Sequence, residues 1–333
     1  QGTILRFADR IEIGVPGRLA FDKLPPMLHE RPTLSVLLEA SGGAQSLELS
    51  YLTGGLSWQA DYVGQLSADA TQLDLTGWVT LTNRSGTSFQ DARLQLVAGH
   101  VNQVNTGPAM PMQLKSTLAS AVSADVAQQA LMDYHLYTVE RPISIADNQS
   151  KQLAWLSAVR LPVRREYLLT GPAHDYRDRQ FGSAQAIHPA TFIELDRRGA
   201  GLEQELPAGV VRVYAKDQQG SAQFVGEDRI GHTARRETIR LQLGQAFDIS
   251  AQRKQTEFHK LGNNSAESRY QIVLRNSQAV AVVVKVQEPL MGDWDMVRES
   301  HPSRKDAARV ATWDIPVAAN STSTLDYTVR LRW

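Results

Sequence analysis

The chain has 333 residues, with 35 Lys plus Arg balanced by 35 Asp plus Glu, so its formal net charge is zero. That balance argues against nucleic acid as a main partner and does not favour a strongly anionic membrane surface. Cysteine is absent, which removes disulfides, thiol catalysis, thiolate zinc sites and iron–sulfur clusters. The longest apolar run, residues 279–284, is far too short for a transmembrane helix.

The opening Gln1-Gly2-Thr3-Ile4 has no basic-then-apolar leader, so any export signal is expected upstream. From there the pattern is period-2 alternation, which on a strand gives one buried face and one wet face. Leu47, Leu49 and Tyr51 form the first case, and Leu73, Leu75, Val79 and Leu81 the second. Trp78 lies on the opposite face from those leucines, with Asp74, Thr76 and Thr80. It is core if a second layer covers that face, and a surface aromatic if none does. Asn83-Arg84-Ser85-Gly86 then marks a turn.

Residues 106–133 break the rhythm with Pro108, Pro111 and a run of Ala, Ser and Gln. They read as a mobile insertion, or as a short helix, since Leu118, Val122 and Val126 recur every four residues. Leu153, Trp155, Val159, Leu161 and Val163 predict a longer strand, and residues 174–185 an exposed loop. Strands follow at 210–214 and 239–243. Residues 270–274, 280–286, 311–315 and 325–333, with the region of Trp294, complete a C-terminal set of five. The 280–286 run, nearly all Val and Ala, is expected to be buried on both faces. The fold class is therefore all-β: two antiparallel sandwiches, residues 1–253 and 254–333, the second immunoglobulin-like.

No local catalytic motif stands out. The eight histidines have no i, i+2 or i, i+4 pair, so neither a strand nor a helix presents a metal pair, and no cofactor is expected. Asp293 and Asp295 flank Trp294. They offer two oxygen ligands to calcium or, more simply, belong to a polar turn beside a core tryptophan. Gly55-Leu56-Ser57-Trp58-Gln59 lacks the second glycine of a nucleophile elbow. Gly199-Ala200-Gly201 lacks the third glycine of a dinucleotide loop. The pairs Arg164-Arg165, Arg197-Arg198 and Arg235-Arg236 read as solvated edge charges.

Several stretches carry a resemblance: Tyr51 to Tyr62 (YLTGGLSWQADY), Gly77 to Thr87 (GWVTLTNRSGT), Leu96-Val97-Ala98-Gly99, Leu206-Pro207-Ala208-Gly209, Val225-Gly226-Glu227, and Val286-Gln287-Glu288-Pro289-Leu290 ahead of Gly292-Asp293-Trp294. In order and spacing they resemble the bacterial domain-of-unknown-function family DUF4139, related to mucoidy-inhibitor-like proteins. The resemblance implies an exported, periplasmic or envelope β-sandwich protein and carries no catalytic residue. The extra N-terminal domain and coiled coil of many members are not evident here.

The expectation is a non-enzymatic envelope protein that binds another protein or a surface polymer, alone or as a subunit of an assembly. Its candidate contact residues are Trp78, His174, Asp293, Trp294 and Asp295, on loops and sheet faces of a rigid scaffold. The alternative is an envelope hydrolase acting on glycan or peptide, with residues gathered from separate strands.

Overall fold

The computed structural model describes residues 46–98, 121–123, 126–131, 134–172, 176–180, 186–198, 201–202, 204–217 and 219–333, with short pieces between 4 and 43. Every regular element among them is a β-strand. Where the fourfold recurrence offered a short helix, Ala121–Ser123 and Val126–Leu131 are strands. The remainder of the 106–133 insertion lies outside the described residues, as does His174.

One strand organises the molecule. Gln149–Thr170 runs for 22 residues, well beyond the usual length of about 3–10. Its first part pairs antiparallel with Gln72–Asn83. Its last part pairs antiparallel with Ala190–Leu195 and parallel with Val282–Pro289. Two register shifts, at Ala154/Leu156 and Ala158/Leu161, let it serve both ends, because each bulge bends the strand and resets which face its side chains occupy. At the second, Arg160 has φ 54° and its backbone N–H donates to Asp74 Oδ1 at 2.7 Å. The reset explains why Val159, expected inside, is 61% exposed.

The resulting sheet has eleven strands. From one edge they run Ala222–Ile230, Gly209–Lys216, Leu56–Leu66, Gln72–Asn83, Gln149–Thr170, Val282–Pro289, Val310–Val317 and Arg304–Ala307, with Ala190–Leu195, Ile239–Gln245 and Ala121–Ser123 branching from that path. The Leu56–Leu66 and Gly209–Lys216 pairing is parallel, so the sheet is mixed and not purely antiparallel as the sequence suggested. A second, five-stranded sheet orders Ala186–Ile187, Ile249–Gly262, Ser265–Asn276, Ser321–Arg332 and Asp293–Glu299.

Two large apolar clusters result. In one, Tyr270, Ile272, Leu325 and Val329 of the five-stranded sheet pack with Val284, Val286, Trp313 and Ile315 of the larger sheet. The other gathers Tyr62, Leu73, Leu75, Leu161, Val213, Ile193 and Leu241. Each fully buried aliphatic side chain contributes about 1.5–3 kcal/mol. The first cluster also takes Tyr167, Leu169, Tyr176 and Ile249, so it draws on chain from both sides of position 253. Ile249–Gly262 itself runs through that position.

Two expected strands differ. Residues 46–52 alternate as read but are exposed and unpaired, with Leu47 65% and Tyr51 61% exposed. Alternation defines faces, but a strand exists only where a neighbouring backbone supplies the ladder. The 280–286 run is not buried on both faces: Val284 and Val286 are fully buried, whereas Val280 and Val283 are 61% and 55% exposed. Nor is Arg197 a solvated edge charge. It is fully buried, its guanidinium donating to the carbonyls of Ala234 at 3.0 Å and of Gln204.

Candidate functional site

The sheet around Leu56–Leu66 has one face turned to the apolar cluster and one turned away. Registers place the outward residues in rows across five strands. One row reads Arg229, Val210, Asp61, Trp78, Ala154, and the next Glu227, Arg212, Val63, Thr76, Ser157. Trp78 thus sits inside the face on its fourth strand, with Asp61 and Ala154 beside it and Thr76 and Thr80 along its own strand. It is half-buried and belongs to none of the four apolar clusters formed by the described residues.

The polar groups of this face are largely paired with one another. Arg212 reaches Asp61 at 3.1 Å and Glu227 at 3.2 Å, and Gln59 donates to Asp61 at 3.2 Å. A second aromatic station lies toward the sheet edge, where Tyr214 and Phe224 meet edge to face at 5.7 Å, with Phe224 56% exposed. At the end of the face is a depression of about 240 Å³ lined by Gln65, Asp74, Arg160 and Lys216 among others. The Gln65 side-chain nitrogen is buried there without a hydrogen-bond partner.

The other expected residues are placed as follows. Trp294 is a core residue, 5% exposed, its indole N–H donating to the Ala308 carbonyl at 3.0 Å. Asp293 and Asp295 lie outward on the strand Asp293–Glu299, exposed, opposite Arg332 and Arg330. They belong to a charged ladder that continues through the Arg330–Glu267 pair at 3.0 Å. These residues are not brought together with Trp78. Among the described residues no three of His, Asp and Glu gather as a metal-binding group.

Sequence reasoning missed a buried cluster. Glu288, fully buried, is gripped by Arg253 at 2.8 Å and 3.2 Å and accepts from the Tyr176 hydroxyl. The Tyr176 and Tyr327 hydroxyls lie 2.9 Å apart, and the Arg253 guanidinium stacks 4.0 Å over the Tyr270 ring. Gly171 is required beside it, since a Cβ there would overlap the carboxylate. Four separate segments meet at this one carboxylate. The signal for it was parity: Glu288 is in phase with Val284 and Val286, and Arg253 with Ile249 and Ala251.

Burial raises the hydroxyl pKa of Tyr62 and Tyr137, and burial with the Glu288 charge raises those of Tyr176 and Tyr327. An unfolded tyrosine ionises near pH 10, while these keep their protons in the fold. Their contribution is whole below about pH 10 and is lost as pH rises toward the folded values. Urea unfolding measured between about pH 8 and 11 is expected to show stability falling above pH 10, by up to about 1.4 kcal/mol per pH unit for each tyrosine. Replacing Tyr176 and Tyr327 by Phe is expected to halve that slope.

The fold and face define an all-β protein whose outward sheet surface carries aromatic stations in a polar setting. The family model described as a domain of unknown function (DUF4139) matches residues 47–333. The chain belongs to that family. No curated protein matches the chain. The stretches that carried the resemblance include Tyr62, Asn83, Glu288 and Trp294, all buried.

Proposed function

We propose that the chain is a non-catalytic binding module of the cell envelope, engaging a protein or a surface polymer through the face around Trp78. The observation that carries this reading is a half-buried tryptophan on the fourth strand of a five-strand face, outside every apolar cluster formed by the described residues. A large aromatic outside a core is most simply a contact residue. The strongly perturbed tyrosines support a scaffold reading, since each is buried in structural packing: Tyr62 donates to the Pro207 carbonyl at 2.7 Å, and Tyr176 holds its loop to Glu288. We read the scaffold as two sandwiches, with the five-stranded sheet and the strands Val282–Pro289 and Val310–Val317 as an immunoglobulin-like C-terminal one. The envelope location rests on the family resemblance.

The test is capture from a native envelope preparation by immobilised wild-type protein and by Trp78→Ala, with both shown by circular dichroism to be folded. Material retained in stoichiometric amount by the wild type and released by the substitution is the expected result. Equal retention by both proteins removes this face from the reading, and no retention by either removes the binding module itself.

A further inference from the structure

The chemistry of the Trp78 face selects its ligand class. The indole is bordered by the hydroxyls of Thr76 and Thr80, the carboxylate of Asp61 and the methyl of Ala154. A protein interface needs roughly 800 Å² on each side with an apolar, aromatic centre. Here the Trp78 ring and the Tyr214–Phe224 pair stand apart, with Asp61, Thr76, Arg212 and Gln65 in the rows beside and between them, so no continuous apolar centre forms. A polyanion needs a cluster of unpaired cations; on this face Arg212 is engaged by both Asp61 and Glu227, and Arg229, Arg160 and Lys216 lie dispersed, the first on the edge strand and the others at the depression. What remains is a surface of mixed donors and acceptors with little net charge and an aromatic face. Sugar rings match it: their axial C–H groups are slightly positive and lie against the negative face of an indole, while their hydroxyls both donate and accept.

The stations are also spaced for a chain. Asp74, at the depression, is four residues from Trp78 on one strand, roughly 13 Å at the rise of a strand. The depression of about 240 Å³ is below the roughly 300–1,000 Å³ of enclosed small-molecule sites, which suits one terminal unit of a longer ligand. Gln65 brings to it a buried amide nitrogen with no partner, and Asp74 and Lys216 are exposed at its wall. An orphaned buried donor costs about 1–3 kcal/mol, which a ligand hydroxyl would recover.

Resting on the binding-module reading above, we infer that this face binds a neutral glycan chain, Trp78 stacking on one sugar ring and the Gln65–Asp74 depression taking another. The ligand lies along the strand Gln72–Asn83, and its affinity is set by stacking and hydrogen bonds, so it is insensitive to salt.

The experiment titrates the full chain with short oligosaccharides of β-linked N-acetylglucosamine and, separately, of β-linked glucose, up to millimolar concentration. Indole N–H shifts and calorimetry are the readouts. Expected is saturable binding of at least one series, with a Kd changing less than about twofold between low and high salt. Trp78→Ala is expected to weaken it at least about tenfold, which corresponds to about 1.4 kcal/mol. Thr76→Arg, which fills the approach to the ring without removing buried surface, is expected to do the same if Trp78→Ala proves unstable. Gln65→Ala should weaken longer oligosaccharides more than disaccharides. Binding that survives both Trp78→Ala and Thr76→Arg overturns the site. Absence of binding by either series overturns the glycan class. If envelope capture of a protein through Trp78 persists in that case, the binding-module reading stands and only the ligand assignment falls. If envelope capture is absent as well, both fall.

Discussion

Arg253→Met is expected to lower the unfolding free energy by about 3–5 kcal/mol, because it strands a carboxylate in the core. Glu288 has no exposed side-chain surface, and Arg253 only 9%. Without the guanidinium, Glu288 retains the Tyr176 hydroxyl as a donor, too little to replace a charge-assisted pair of bonds. The substitution also removes the stacking on Tyr270, worth about 0.5–2 kcal/mol. For a unit of 150–250 residues, about 4 kcal/mol corresponds to a fall in Tm on the order of 10 °C. The double variant Arg253→Met with Glu288→Leu is expected to recover most of the loss, since an apolar pair of similar volume avoids the desolvation cost of both ions. Chemical denaturation of the three proteins checks this. A single variant within about 1 kcal/mol of wild type would show that water reaches the carboxylate and that the pair is not what fastens Tyr176 and its loop.

The same cluster shows how far the sequence was legible. Strand faces were readable where register runs unbroken: Leu325, Tyr327, Val329 and Leu331 alternate and are all buried. They became unreadable at the bulges, because an extra residue shifts parity and nothing in residues 153–163 announces that Arg160 takes a left-handed backbone. Pairing was unreadable as well. Leu47, Leu49 and Tyr51 carry the same pattern as true strands and find no partner, since the partner is a property of the folded neighbourhood. The face of Trp78 followed from parity with Asp74, Thr76 and Thr80. The residues beside it did not, because Asp61 and Ala154 reach it only through register with two other strands. Glu288 and Arg253 are 35 residues apart, and only their positions in otherwise apolar phases hinted that they would be buried and would need one another.

Asn276→Ala is expected to cost about 3 kcal/mol or more, and Asn83→Ala a similar amount, because the two residues hold equivalent places in a repeated design. Both are buried at the end of a central strand, at 1% and 0% exposure. Asn276 is paired with Ile249 on one side and Ser321 on the other, and Asn83 with Leu56 and Gln149. Each amide nitrogen donates to the carbonyl four residues on, Val280 at 2.8 Å and Thr87 at 2.7 Å. Each donates again to the carbonyl just before the returning strand, Ala318 at 3.1 Å and Ala146 at 3.0 Å. Each amide oxygen accepts from the backbone N–H two residues on, Gln278 at 2.9 Å and Ser85 at 3.0 Å. Six residues beyond each Asn the chain pairs again, Val282 with Val317 and Phe89 with Ile145. Both returning strands are entered through a left-handed Asn, Asn320 at φ 50° and Asn148 at φ 58°. Turn chemistry alone would have allowed any polar residue at 83 and 276. Their burial means that Ala leaves at least two carbonyls and one N–H without partners, at about 1–3 kcal/mol each where water cannot reach them. Asn276→Asp separates the roles of the two amide atoms. The ionised carboxylate still accepts from Gln278 but faces two carbonyl oxygens, so the variant is expected to fall below Asn276→Ala at neutral pH and to regain stability on acidification, as the proton restores a donor. Denaturation of Asn83→Ala and Asn276→Ala checks the equivalence. Costs differing by more than about 2 kcal/mol would mean that the shared geometry does not carry shared energetics.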